Sequence, residues 1–223
     1  MPPMFDRDYF MRMINQMSVA FGALMGLKQQ GKHEEALQLI DDFLSKELRL
    51  RARLALGLSD ADLIQMFSGG GRSDAEAIGA IGAFLQEEGD VLADMGRESE
   101  SLPRLEKALR LIGYVLRTHG SVEGLDLERR MERLTAGRAL AEGAPQTLRA
   151  AWQWQEYAGR YADAENSLYD LFDTGDADPE EGRDFYARLE ALEDEQLRQG
   201  GLVREELREG MRQWNNLTKE TAS

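Results

Sequence analysis

The chain has 223 residues, of which 41 are acidic and 27 basic, so its formal net charge is −14. Such an excess of negative charge disfavours nucleic acids and anionic membranes as partners, because both attract cationic proteins. The chain has no cysteine, which excludes disulfides, thiolate metal ligands and cysteine nucleophiles.

An apolar run at residues 17–27 is the candidate for a targeting or membrane segment. It is too short to cross a bilayer, which takes about 20 apolar residues. No small-residue cleavage site follows it, so it does not fit a signal peptide. We therefore expect a cytoplasmic chain without a membrane partner.

Apolar residues recur at three- and four-residue steps along most of the chain, which is typical of amphipathic helices. The pattern predicts an all-α fold of nine to eleven helices, in a single domain spanning residues 1–223 with a disordered tail at 218–223. The predicted helices lie at about 5–29, 33–56, 60–68, 74–95, 99–118, 126–142, 145–158, 161–174, 179–198 and 203–217.

Several of these helices have recognisable start signals. Ser59 followed by Asp62 resembles a capping box, in which a hydroxyl group and a carboxylate satisfy free backbone amides. Asp126 is a candidate cap for the helix that starts next to it. Asp178 precedes Pro179, and proline is favoured at the first helical position.

Three segments share one turn pattern, in which a glycine is followed by a basic residue. The glycines are Gly31, Gly96 and Gly159, and they are 65 and 63 residues apart. These spacings are about twice the 34-residue period of a helix–turn–helix repeat. A small residue lies five positions after each glycine, where two antiparallel helices would cross: Ala36, Ser101 and Ala164.

The spacing Leu85…Gly89…Leu92…Gly96…Leu105…Ala108 and the run 159–164 resemble the tetratricopeptide repeat. The clearest repeat units are 17–50, 82–115 and 145–178. The resemblance implies antiparallel helix hairpins that stack into an array with a concave face, which binds a peptide or a protein. Carried over onto this sequence, that face is lined by Phe21, Met25, Lys28, Gln86, Asp90, Asp94, Arg149, Gln153 and Tyr157.

The whole chain also resembles an uncharacterised bacterial family that is known only as a domain of unknown function. The opening segment 4–14 (MFDRDYFMRMI) and the segment 157–166 (YAGRYADAEN) carry this likeness. The resemblance implies a fold and no activity.

We expect a non-enzymatic protein that binds a peptide or protein partner and needs no cofactor or metal. Neither His33 nor His119 follows a glutamate by three residues, as di-metal helix bundles require. Two alternatives stay open. One is a regulator that senses a signalling peptide, and the other is an enzyme that uses a pair of carboxyl groups in a cleft.

The first predicted helix is rich in methionine, which packs adaptably and is common at surfaces that accept varied partners. This favours a homodimer or partner contact through that helix. The alternative is that the helix buries its apolar stripe against the second and third helices. Six of the ten methionines lie in the first 25 residues: Met1, Met4, Met11, Met13, Met17 and Met25.

Overall fold

The computed structural model describes residues 4–67 and 72–221, with side chains for residues 12, 14–67 and 74–219. Within these ranges the chain is all-α and contains no strand, which confirms the predicted fold class. The helices are α1 (Met4–Gln29), α2 (His33–Glu47), α3 (Ala52–Gly57), α4 (Asp60–Phe67), α5 (Arg72–Asp94), α6 (Glu98–His119), α7 (Leu127–Thr135), α8 (Arg138–Ala141), α9 (Pro145–Tyr157), α10 (Tyr161–Asp173), α11 (Pro179–Glu190), α12 (Asp194–Gln199) and α13 (Arg204–Thr221).

These helices number thirteen in the described ranges, more than the nine to eleven expected, because three of the predicted helices are interrupted. The predicted helix 33–56 ends at Glu47, and Arg49 then adopts a left-handed conformation with φ of 53°. The predicted helix 126–142 is divided by Gly137, which precedes α8. The predicted helix 179–198 is divided between Glu190 and Asp194.

The last helix is longer than the sequence predicts. It continues to Thr221, so the disordered tail placed at 218–223 is corrected over residues 218–221. Thr218 is buried, and its hydroxyl group donates a hydrogen bond to the Trp214 carbonyl at 2.9 Å. Residues 222 and 223 lie outside the described part of the chain.

The predicted cap at Asp178 is confirmed in full, and Ser59 caps its helix through its hydroxyl group, while the Asp62 carboxylate accepts from that hydroxyl group and not from a backbone amide. The backbone amide of Asp62 donates to Ser59 Oγ at 3.0 Å, and the amide of Glu180 donates to Asp178 Oδ1 at 2.9 Å. Helix α7 begins directly after Asp126, as predicted. The Asp126 side chain makes no capping hydrogen bond, however, because this residue has a left-handed backbone with φ of 53°.

The chain divides into two compact units, unit 1 (Met1–Gly143) and unit 2 (Ala144–Ser223). The single domain that the sequence predicts stays a prediction, and so does the stacking of all three hairpins into one tetratricopeptide-like array.

The three turns that the sequence pattern identified have the same backbone geometry. Gly31, Gly96 and Gly159 have φ of 69°, 73° and 73°, a left-handed conformation that suits glycine. At each turn the glycine amide donates to the carbonyl three residues earlier, and the next amide donates to the carbonyl five residues earlier. This is the Schellman arrangement that ends a helix. The turns join three packed helix pairs: α1 with α2, α5 with α6, and α9 with α10.

The small residues predicted at the helix crossings are buried in all three hairpins, and a close approach of the two backbones is seen in the middle one. Ala36, Ser101 and Ala164 are all fully or almost fully buried. In the α5–α6 pair, Ser101 Oγ donates to the Gly89 carbonyl at 2.8 Å. A Cβ atom added at Gly89 would lie only 2.7 Å from Leu105 Cδ2, so the two backbones approach closely at this point.

Unit 1 is built around α5 and α6. The α1–α2 hairpin packs on α5, where Phe21 and Phe43 both stack on Phe84 with ring centroids 4.5 and 4.4 Å away. Helices α7 and α8 pack against α6. The core of this unit is therefore contributed mainly by the two long helices of the middle hairpin.

Unit 2 has an aromatic core between the α9–α10 hairpin and the C-terminal helices. Trp214 of α13 is fully buried and lies edge-on to Tyr169 and Phe172 of α10. Its indole ring rests directly on the backbone of Gly182 in α11. The ring nitrogen donates to the Pro179 carbonyl at 3.1 Å, which orients the side chain.

Candidate binding surfaces

Four of the residues predicted to line a concave face lie together in unit 1, and they converge on α7. Arg130 of α7 donates from Nη1 to Gln86 Oε1 at 3.1 Å and to Glu87 Oε1 at 2.9 Å. Its guanidinium carbon also lies 4.7 Å from the ring centroid of Phe21. This contact combines a cation–π interaction with charge pairing.

Lys28 and Asp90 belong to the same charge network. Lys28 Nζ lies 3.1 Å from Glu87 Oε2 and 4.0 Å from Asp90 Oδ2. Asp90 is also paired with Arg133 of α7, at 2.7 Å. Acidic groups of α5 are thus held between a basic group of α1 and two basic groups of α7.

The electrostatic balance differs between the two carboxyl groups of this network. Burial acts to raise the pKa of Glu87, but the nearby charges of Lys28 and Arg130 outweigh it and leave the pKa below its ordinary value. Burial also raises the pKa of Asp90, and here Arg133 and Lys28 do not fully compensate. Glu87 is therefore the carboxylate that the network stabilises most in its charged form.

Helix α7 covers this part of the predicted concave face. Leu127 and Met131 of α7 are completely buried, so the helix belongs to the core of unit 1. Gln86 is only 1% exposed and therefore faces α7 rather than solvent. Among the predicted face residues of this unit, Met25 (51% exposed) and Asp94 remain on the surface.

The other three predicted face residues lie at four-residue steps along α9 in unit 2. Arg149 Nε donates to Glu181 Oε1 at 2.9 Å, and Arg149 Nη2 donates to the Asp176 carbonyl at 2.6 Å. Gln153 is half-buried, and Tyr157 is 59% exposed. Arg149 thus ties α9 to the start of α11, while Tyr157 is accessible to a partner.

A groove that the sequence reasoning missed lies between α1 and α2. It has a volume of about 790 Å³, and its lining surface is mainly apolar, with four charged side chains among the lining residues. Val19 is 72% exposed within it, and Phe43 forms part of the opposite wall. The lining residues are Arg12, Asn15, Gln16, Val19, Ala20, Ala23, Leu39, Asp42, Phe43, Lys46 and Glu47.

One signal in the sequence could have revealed this groove. The buried stripe of α1 includes Ile14, Met17 and Leu24. Val19 is apolar but lies off that stripe, on a face that the described residues of unit 1 leave exposed. Gly22 and Gly26 continue the same face at three- and four-residue steps, and a Cβ atom added at either would meet nothing within 4 Å.

The methionines of α1 divide between core and surface. Met17 is fully buried, which agrees with a helix that packs its stripe within the chain. Met25 is exposed, which leaves partner contact at this end of the helix as a prediction. The other methionine side chains of this segment, those of Met1, Met4, Met11 and Met13, lie outside the described residues.

Carboxyl groups with raised pKa are engaged by structural partners. Burial raises the pKa of Glu88, whose Oε1 lies 2.8 Å from Arg104 Nε. Burial also raises the pKa of Glu165, which accepts a 2.7 Å hydrogen bond from the Tyr186 hydroxyl group. Neither carboxyl group lines the α1–α2 groove.

The described residues contain no group of three or more histidine, aspartate or glutamate side chains that could hold a metal ion. Of the two histidines, His119 is exposed and His33 is half-buried. Among the helices of the described part, none is long and apolar enough to cross a membrane.

Comparison with known proteins assigns the chain to a family but not to an activity. The profile of a family described as "Family of unknown function (DUF6483)" matches residues 4–219. No curated protein and no solved structure matches the chain.

Proposed function

The chain belongs to this family of unknown function, and we propose from its geometry that it is a non-enzymatic binding protein that accommodates a helical segment of a protein partner in the α1–α2 groove. The observation that carries the proposal is Val19, which is 72% exposed inside a groove of about 790 Å³. Burial of one valine side chain is worth about 1.5 kcal/mol or more, so a partner gains affinity by covering it.

The composition of the groove favours a protein segment as the ligand. Its lining surface is mainly apolar, contributed by Val19, Ala20, Ala23 and Leu39 among others, and it also includes charged side chains. Protein–protein interfaces likewise combine apolar contacts with polar groups. A trough between two helices suits an amphipathic helix, which places one apolar face into it.

The concave face that resembles a tetratricopeptide surface stays a prediction as a second binding region. Tyr157 and Met25 are its most exposed members. The alternatives of a peptide-sensing regulator and of a carboxylate-based enzyme also stay predictions. We place the chain in the cytoplasm as part of the proposal, since it contains no cysteine from which disulfides could form.

Site-directed photo-crosslinking tests the proposal. Because the chain has no cysteine, Val19→Cys creates a single thiol that can carry a photoreactive group. Met66→Cys is the matched control, since Met66 is also exposed, at 54%, in unit 1 but does not line the groove. In extracts of cells that produce the chain, we expect a protein adduct from position 19 and not from position 66. Absence of an adduct at position 19, or equal yields at both positions, would overturn the proposal.

A further inference from the structure

We propose that the helix received by the α1–α2 groove is α1 of a second copy of this chain, so that the protein forms a two-fold symmetric dimer. The inference rests on the proposed function, because it names the partner of the same groove. It depends on residues 12–26 of α1 and on the facing side of α2.

The exposed face of α1 is complementary in shape to itself. Val19 projects from it, and Gly22, one turn further along, leaves open space at the surface. When two such helices pack antiparallel about a two-fold axis, Val19 of each copy lies opposite Gly22 of the other. A symmetric interface requires this property, because the same patch must fit its own copy.

The two glycines are otherwise unexplained by the packing of unit 1. Glycine within a helix lowers its stability relative to alanine. At Gly82 and Gly89 of α5, a Cβ atom would lie 2.8 and 2.7 Å from a neighbouring side chain, so the fold itself favours glycine there. A Cβ atom added at Gly22 or Gly26, by contrast, would meet nothing within 4 Å. A second helix that packs closely against α1 explains why glycine occupies both positions.

The charged residues that line the groove also suit a second copy of the chain. Arg12 and Lys46 are basic, whereas Asp42 and Glu47 are acidic, so the groove is neutral in a chain of net charge −14. On this face two acidic copies meet without an excess of like charge.

The molar mass of the purified full chain tests this proposal. Sedimentation equilibrium should give twice 25.1 kDa for the wild-type chain. Val19→Asp should weaken association by more than about tenfold, because the two-fold axis brings the new charges close together. Met66→Asp, the exposed control elsewhere in unit 1, should leave association unchanged. A wild-type chain that stays monomeric up to its solubility limit, or equal effects of the two variants, would overturn the inference.

A second variant distinguishes close helix packing from loss of folding. Gly22→Leu fills the open space on α1, so we expect weaker dimerisation with an unchanged or higher melting temperature of the monomer. Unchanged dimerisation would contradict contact between the two α1 helices. If the pure chain is monomeric while position 19 still forms an adduct with another protein in extracts, the inference fails and the proposed function stands.

Discussion

Replacement of Gly182 by alanine should destabilise unit 2, because Trp214 occupies the space that the new methyl group needs. The added Cβ atom would lie 2.0 Å from Trp214 Cε2, whereas carbon atoms in contact are normally about 3.5–4.0 Å apart. Overpacking of this kind costs about 1–3 kcal/mol. Displacement of the ring also breaks its hydrogen bond to Pro179, at a cost of about 1 kcal/mol. Alanine returns about 1 kcal/mol through helix propensity, which leaves a net loss of about 1–3 kcal/mol.

Urea denaturation followed by tryptophan fluorescence measures this loss in the correct unit. The tryptophans of the chain are Trp152, Trp154 and Trp214, and all lie in unit 2. Ala187→Gly is the matched control, since Ala187 is exposed in the same helix and its replacement changes helix propensity alone. We expect Gly182→Ala to lower the urea midpoint despite its favourable propensity. If Gly182→Ala instead raised the midpoint by as much as Ala187→Gly lowers it, the close packing of Trp214 on α11 would be refuted.

Two carboxyl groups should have opposite effects on how stability depends on pH. Burial raises the pKa of Glu165; the hydrogen bond from Tyr186 lowers this pKa in part, and the charge of Glu206 raises it further. The fold therefore loses stability as pH rises through the folded-state pKa and Glu165 becomes charged. Glu165→Gln should therefore raise the urea midpoint above that of the wild-type chain at pH 7, and the two midpoints should converge below the ordinary pKa of glutamate. A difference between the two midpoints that is the same at all pH values would contradict the raised pKa of Glu165. The pKa of Glu87 is lowered, so its contribution is present above the ordinary pKa and is lost as pH falls through the folded-state value. Glu87→Gln should lower the free energy of unfolding by about 3 kcal/mol at pH 7, because Lys28 and Arg130 lose a buried partner. Urea denaturation followed by circular dichroism should show that the difference from the wild-type chain becomes smaller in acid. An unchanged transition at pH 7 would argue against the network.

The network around Glu87 bears on the predicted tetratricopeptide-like array. In unit 1, α7 supplies Arg130 and Arg133 to the face of α1 and α5 that a bound peptide would use in such an array. Leu127 and Met131 bury α7 in the core, so this helix is a permanent part of the unit. The proposed partner site is therefore on the opposite side of α1, which includes Val19 and which the described residues of unit 1 leave exposed.

The sequence by itself determined the features that depend on short stretches of chain. Gly31, Gly96 and Gly159 end their helices as predicted, because a left-handed glycine and two backbone hydrogen bonds within six residues are enough to form the turn. Ser59 and Asp178 act as caps for the same reason. Helical periodicity likewise predicted the all-α class, since each helix satisfies its own backbone hydrogen bonds.

Only the tertiary structure decided which helix faces are covered. Gln86 and Arg130 are 44 residues apart, and no local pattern indicates that they form a hydrogen bond. The burial of Gln86 and the opening of the groove at Val19 depend on where α7 and α2 pack relative to α1 and α5. Packing between distant segments follows the shape and charge of whole surfaces, and periodicity along one helix does not contain that information.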